Sequence, residues 1–515
     1  MTVPRRAAQI AAAVVTALAL AACTPSVEQV APSVDAPWPG GDVLPTAGVT
    51  PQDSRVYEQA ISWRSCGSLE CADLLVPLDW SNPNGPTITI AINRSPARVP
   101  DEKLGSLLIN PGGPGGSGLE LTTYFLDFAG DDLLDHYDII GFDPRGVGAS
   151  SPISCGTAEE LNAYFLDDAT VETQEDLDAA RQKNVDFATR CRELTGPLIE
   201  NVDTASVARD MDVARAVLGD EKLNYLGFSY GTQLGATYAA LHPENVGRLV
   251  LDGAVDFLLT PQELSLGQAA GFESALEAYI NDCIAGPDCP LPPNVDDAKR
   301  AILDVALEAR DHGIPTGEED LTGSLAVYGI VVVLYDNANW KYLTEALREV
   351  IDRGTGRTLL DLANFYLDRD SAGEYASNGT EAFTVISCLD EPDEPPATIV
   401  EHREFRRLAE EASPTFGWWF ANGAGCDGWP YTAHEVVQDL SAAAGIPPIL
   451  VLGTTGDPAT PFVWAQALAD EFPSAVMVAY DGEGHTAYGR SNQCVIDVVD
   501  AYFVDGVVPD SGKTC

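Results

Sequence analysis

Gly227-Phe228-Ser229-Tyr230-Gly231 is the stretch of this 515-residue chain whose residue types and spacing point most directly to chemistry. An apolar run, Leu223 to Leu226, leads into it, and a helix-like run rich in Ala and Leu follows. A serine at the tip of so sharp a strand-to-helix turn projects its hydroxyl above the sheet, and glycine at 227 and 231 removes side chains that would collide there. A serine hydroxyl is a weak nucleophile until a base takes its proton, and the base needs an acid to orient it. Both partners occur late in the chain, each after an apolar strand-like run. Residues 448–453 are followed by Thr454-Thr455-Gly456-Asp457-Pro458, and residues 475–480 by Asp481-Gly482-Glu483-Gly484-His485. Of the six histidines, His136, His242, His312, His402 and His434 fall in helix-like or surface contexts; only His485 sits in a Gly-rich loop after a strand. Ser229, Asp457 and His485 are thus a candidate acyl-transfer triad, in the order nucleophile, acid, base. Asp252, directly after the apolar run 247–251, is the competing acid.

Acyl transfer also needs N–H donors for the oxygen that becomes negative. Residues 104–109 form a near-continuous apolar strand that runs into Asn110-Pro111-Gly112-Gly113-Pro114-Gly115-Gly116-Ser117-Gly118. Five glycines and two prolines in nine residues make a rigid loop whose amides stay accessible. Gly113 is the candidate donor from this loop, and Tyr230, directly after the nucleophile, supplies the second. A phosphate-binding reading fails, because the loop lacks the G-K-[ST] ending and the GxGxxG spacing.

The elements that must position these groups alternate between strand and helix. The strands read at 72–78, 88–94, 104–109, 137–142, 223–226 and 247–251, with an amphipathic crossover helix at 205–218 that spaces Val207, Met211, Ala214 and Leu218. The turn 143–150 reads as structural, with Asp143 and Arg145 bracing the loop beside the site. From about 257 to 436 helix-like segments dominate (263–281, 296–310, 341–352), with Trp340, Trp418 and Trp419 interspersed. Strands resume at 448–453 and 475–480. This is the pattern of an α/β-hydrolase fold: a mostly parallel, eight-stranded sheet flanked by helices, with a helical cap inserted after strand 6. The expected units are a core in two parts, 51–256 and 437–515, around a cap at 257–436.

The remaining sequence sets the compartment. Arg5 and Arg6 precede a short apolar run ending in Leu20-Ala21-Ala22-Cys23, the pattern of an export signal (1–23) with a lipobox whose cysteine receives lipid. Residues 24–50, rich in proline and glycine, read as a tether to the membrane. Setting Cys23 aside leaves ten cysteines, an even number that suits an oxidising envelope. Proximity in sequence suggests Cys66–Cys71, Cys155–Cys191, Cys283–Cys289, Cys388–Cys426 and Cys494–Cys515, although spacing alone does not prove connectivity. No cysteine pair has CxxC spacing and none has a nearby histidine cluster, so no metal is expected, and the candidate triad needs no organic cofactor. With 29 Lys+Arg against 78 Asp+Glu, a net charge of −49, the chain would be repelled by a nucleic-acid backbone. Such a field favours solubility and could draw in substrates carrying a free amine.

Taken together, LLINPGGPGGSG, GFDPRGVGAS, YLGFSYGT, GTTGDPATP and GEGHTAYG resemble the secreted tripeptidyl-aminopeptidase family of actinomycetes, from about residue 60 to the end. The chain is similar in particular to the cell-envelope lipoprotein serine proteases of mycobacteria; proline iminopeptidases are more distant. Those iminopeptidases begin the oxyanion loop His-Gly-Gly-Pro-Gly where this chain has Pro111-Gly112-Gly113-Pro114-Gly115, a departure that argues against release of single prolines. The resemblance implies a Ser229–Asp457–His485 triad, Gly113 and Tyr230 amides at the oxyanion, and a monomeric exopeptidase acting on peptide or protein substrates. It also implies that Asp390 and Glu391, in Cys388-Leu389-Asp390-Glu391, meet the substrate's ammonium group. The alternatives from other classes are an envelope carboxylesterase or lipase, and a surface lipoprotein that binds peptides or wall material without catalysis.

Overall fold

The computed structural model describes residues 54–317, 319–391 and 395–515. The export signal, Cys23 and the tether lie outside the described residues. One ten-stranded sheet organises the chain, with β1 Arg64–Cys66, β2 Leu69–Pro77, β3 Thr87–Ser95, β4 Gly105–Asn110, β5 Tyr137–Phe142, β6 Leu223–Phe228, β7 Val246–Asp252, β8 Ile449–Gly456, β9 Ala475–Glu483 and β10 Lys513–Thr514. The order is β1-β2-β3-β5-β4-β6-β7-β8-β9-β10. β1, β2, β3 and β5 pair antiparallel, and from β5 to β10 every pair is parallel. The expected eight strands are β2–β9; the short edge strands β1 and β10 widen the sheet to ten. Both additions lack an apolar run because each is only two or three residues long, held by pairing rather than by burial.

The central strands are buried on both faces, as their uninterrupted apolar runs require. Leu107 and Ile109 of β4 join one core with Leu226, Phe228, Val250, Leu450 and Leu452. Leu108 points the other way, into a second core with Tyr225, Leu249, Leu251 and Val451. Period-two alternation thus sends successive residues of one strand into opposite layers. The crossover helix Thr204–Leu218 and the elbow helix Tyr230–Leu241 cover the second face.

After β7, the sixth of the eight central strands, the chain leaves the sheet to build the cap. Thr260 caps the first cap helix, Pro261–Ala285, through a reciprocal pair with Glu263. In Trp340–Arg353 the buried residues Leu343, Ala346, Leu347 and Val350 recur at helical intervals, and Gly354 ends the helix in the left-handed region. Together with Val295–His312, Gly323–Leu334 and Arg357–Leu367 these helices enclose a core of their own, including Leu276, Ile302, Ile330 and Leu360. The cap is therefore a packed unit rather than a loop.

One helix within the expected cap span does not belong to that core. In Gly379–Asp390, residues Ala382, Val385, Ile386 and Leu389 belong to the same core as Tyr225, Tyr230 and Leu251, beside the sheet. The simple cap boundary 257–436 is corrected accordingly, because apolar spacing marks which face is buried but not against what. The five disulfides are Cys66–Cys71, Cys155–Cys191, Cys283–Cys289, Cys388–Cys426 and Cys494–Cys515, the pairing expected from proximity. Cys388–Cys426 ties the end of the helix Gly379–Asp390 to the segment after the cap's last helices.

Candidate active site

β4 and β6 are neighbours in the sheet, with Asn110 opposite Gly227, although β5 lies between them in sequence. The chain steps to one side of β4 for β5 and to the other for β6, the topological switch point beside which parallel sheets place their ligand sites. The oxyanion loop leaves β4 at this point, and Ser229 leaves β6 beside it.

Ser229 adopts φ 55° and ψ −124°, a left-handed conformation that costs a non-glycine residue about 1–3 kcal/mol. The turn is so tight that a Cβ on Gly227 would stand 2.3 Å from the carbonyl oxygen of Gly231. The conformation is held from both sides: the Ser229 N–H donates to the Asp252 carbonyl at 2.9 Å, and the Ser229 carbonyl accepts from Thr232 N at 2.8 Å. The oxyanion loop passes directly above, since a Cβ on Gly112 would lie 3.0 Å from both Ser229 Cβ and Tyr230 N. Gly113 is exposed, and among the described residues neither its amide nor that of Tyr230 donates to a protein acceptor. Tyr230 is the first residue of its helix, where an N–H has no partner within the helix.

His485 Nδ1 lies 2.9 and 3.0 Å from the two oxygens of Asp457. That carboxylate is fully buried, and it also accepts from the amides of Ala459, Thr460 and Thr486 and from Thr460 Oγ1. Thr460 Oγ1 stands 3.2 Å from His485 Nδ1 as well, bridging acid and base. A proton on Nδ1 is therefore directed at Asp457, which leaves the Nε2 lone pair free to accept a proton. The His485 amide donates to the carbonyl of Tyr335, and the imidazole meets the Tyr335 ring edge-on with centroids 5.3 Å apart. Tyr335 ends the cap helix Gly323–Leu334, so the cap holds His485 in place.

Asp252, the competing acid, turns away from the imidazole. Its carboxylate accepts from the amides of Ala487 at 2.9 Å and Tyr488 at 2.7 Å, fixing the loop just after His485. Burial pushes its pKa up to about 6. Gly253, the next residue, is close enough that a Cβ there would lie 3.3 Å from His485 Cε1. Asp252 and Gly253 are thus the common neighbours of Ser229 and His485, one through a hydrogen bond and the other by contact.

The turn 143–150 is a brace. Arg145 is completely buried, and its guanidinium is satisfied by Asp210 and by the carbonyls of Pro77, Leu78 and Asn201. Asp143 accepts from Ser117 Oγ at the end of the oxyanion loop and from the Ala149 amide. Asp390, expected to meet a substrate ammonium, instead accepts from Thr204 N at 3.0 Å and from Thr204 Oγ1 at 2.6 Å, at the start of the crossover helix. Burial, then the charge of Asp203, pushes the pKa of Asp390 up to about 7. Glu391 follows as the C-terminal flank of the same helix. Sequence reasoning missed Tyr335 and Thr460; Thr460 lies three residues after the acid, near enough to have been noticed, whereas nothing around Tyr335 marks it.

The description "alpha/beta hydrolase fold" matches residues 105–295, and "TAP-like protein" matches residues 413–515. Serine protease Hip1 of Mycobacterium tuberculosis is 34% identical over 481 residues, spanning 89% of this chain and 91% of that protein. The chain belongs to this family of serine hydrolases. The family also takes in tripeptidyl aminopeptidase of Streptomyces lividans, 30% identical over 90% of this chain and 88% of that protein. Carboxylesterase B of Mycobacterium tuberculosis is 35% identical over 93% of this chain and 94% of its own length.

Two outcomes follow from the carboxylates. Asp457→Asn should lower kcat by about 10⁴-fold with the fold intact, by leaving His485 in the wrong tautomer. Asp252→Asn should mainly lower the melting temperature, and steady-state kinetics beside thermal unfolding separates the two. In addition, burial holds Asp252 and Asp500 near 6 and Glu381 and Asp390 near 7, so the folded state keeps protons that the unfolded chain releases near pH 4. Stability contributed by these groups is lost as pH rises through that window. His242 and His402, both lowered by burial, oppose the effect but are fewer. The melting temperature should rise by a few degrees between pH 7.5 and 5.5, measured by calorimetry at constant ionic strength.

Proposed function

We propose that this protein is an exported serine peptidase that cleaves peptide bonds near free N-termini through an acyl-enzyme. The observation that carries the mechanism is the bond from His485 Nδ1 to both oxygens of buried Asp457, which reserves Nε2 for the Ser229 hydroxyl. Nε2 takes the Ser229 proton as Oγ attacks the scissile carbonyl, and Asp457 stabilises the imidazolium that forms. The Gly113 and Tyr230 amides, free of protein acceptors among the described residues, receive the oxyanion; each donor of this kind is worth about 3–4 kcal/mol. The imidazolium then protonates the departing amine. Water, deprotonated by the same Nε2, attacks the acyl-enzyme, and collapse of the second oxyanion restores Ser229.

Relatives named serine protease and tripeptidyl aminopeptidase support peptide substrates, and the net charge of −49 suits attraction of a substrate's ammonium group. The relative named carboxylesterase B, as similar as the protease, supports a second reading in which the same acyl transfer acts on esters. The five disulfides fit an oxidising compartment outside the cytosol. Cys23 would carry the lipid that anchors a monomeric body to the outer face of the membrane, with residues 24–50 as the spacer.

A fluorophosphonate probe should label Ser229 in the wild type and leave Ser229→Ala unlabelled; an unlabelled wild type refutes the catalytic reading. On a panel of free and N-blocked peptide amides beside p-nitrophenyl esters, free-amine peptides should show the highest kcat/KM. An ester preference would transfer the assignment to an esterase. Mass spectrometry of the mature protein should find a lipidated Cys23 at the N-terminus, and an unmodified peptide beginning elsewhere would rule out the anchor.

A further inference from the structure

The helix Gly379–Asp390 runs from one half of the proposed oxyanion hole to the other. At its start it meets the oxyanion loop: a Cβ on Gly115 would stand 2.5 Å from the Gly379 carbonyl oxygen and 3.0 Å from Phe383 N. Asn378, which precedes the helix, accepts from the Gly148 amide and donates to the carbonyls of Gly146 and Ile153. Glu381 accepts from the Cys155 amide. These bonds tie the helix to the segment 143–155, which also holds the oxyanion loop through Asp143 and Ser117.

At its other end Asp390 takes the Thr204 amide and hydroxyl. Thr204 Oγ1 also lies 2.5 Å from Tyr230 Oη, and when the single threonine proton goes to an ionised Asp390 the tyrosine is the donor of that bond. Tyr230 is the residue whose amide faces the oxyanion. No sheet ladder holds that amide, and the residue before it is strained, so its position depends on where the Tyr230 side chain is packed and pinned. Tyr230 is buried in the same core as Ala382, Val385, Ile386 and Leu389 of that helix. Cys388–Cys426 secures the last turn.

We propose that this helix braces the oxyanion hole, setting the separation of its two donors, and that Asp390 is a positioning residue acting through Thr204 on Tyr230. The proposal rests on Gly113 and Tyr230 being the donors. It replaces the ammonium-binding role for Asp390: that carboxylate serves the transition state of every substrate, with or without a free amine. A displacement of about 1 Å in a catalytic group is enough to slow a reaction strongly.

The test measures kcat and KM per fluorophosphonate-titrated site, so that misfolded protein does not count. Substrates are a free-amine tripeptide amide, its N-blocked form and a p-nitrophenyl ester. Asp390→Ala, Thr204→Val and Tyr230→Phe should each lower kcat roughly tenfold on all three, short of the 10²–10³-fold cost of deleting an oxyanion donor, with KM within about twofold. Thr204→Ser should restore kcat, and Asp390→Ala should add little to Tyr230→Phe, as expected for one linked chain of bonds. If Asp390→Ala does not fold, Tyr230→Phe, which keeps the packed ring, tests the same link. Wild-type kcat in a titratable Asp390→Ala or Tyr230→Phe variant overturns the brace alone. A KM increase confined to the free-amine peptide overturns it in favour of ammonium binding. A wild type that takes no fluorophosphonate overturns the serine-hydrolase reading beneath it.

Discussion

The strained turn at Ser229 is the constraint on which the rest of the structure depends. A residue at φ 55° does not stay there for local reasons, so its surroundings must over-determine it. They do so with a largely buried strand on one side, a buried helix on the other, and a hydrogen bond from the Ser229 amide to the neighbouring strand β7. Glycine at 227 lets the turn close, because any side chain there would meet the backbone of Gly231. The turn leaves Ser229 at the strand's end and the next amide without a protein acceptor among the described residues, an arrangement suited to acyl transfer.

The cap contributes more than a lid. Its Tyr335 accepts the His485 amide and packs against the imidazole, while Asp390 reaches the residue after the nucleophile through Thr204. Base and oxyanion region are thus both in contact with elements that follow β7 and precede β8. Asp252 has a related part inside the core. By binding the amides of Ala487 and Tyr488 it orders the histidine loop, and its own carbonyl anchors Ser229. Hydrogen bonding divides the two acids: Asp457 is bound to the imidazole, whereas Asp252 is committed to the amides of Ala487 and Tyr488.

Much of this could be read from the chain alone, for identifiable reasons. Strands buried on both faces leave unbroken apolar runs, so β4 through β9 were visible within a few residues. A nucleophile between two glycines, and a lone histidine in a Gly-rich loop, stand out because the backbone there demands unusual residues. Cysteines near one another in sequence had few other partners to reach. The edge strands β1 and β10 escaped notice because two or three residues carry no periodic signal. The helix Gly379–Asp390 was assigned to the wrong layer because Ala382, Val385, Ile386 and Leu389 declare an apolar face without naming what covers it.

Sequence by itself marked a serine hydrolase and the order of its candidate groups: local backbone geometry dictates which residues can occupy an elbow, a glycine-rich loop or a strand-end turn. Tertiary structure alone decided which carboxylate serves as the acid candidate, because Asp457 and Asp252 both follow strands and only the path of the 485–488 loop distributes them. It also decided what Asp390 touches. A carboxylate beside a cysteine near the end of a cap is compatible with ammonium binding or with a helix terminus. Only the packing of that helix against Thr204 and Tyr230, residues more than 150 positions earlier, brings it to the second.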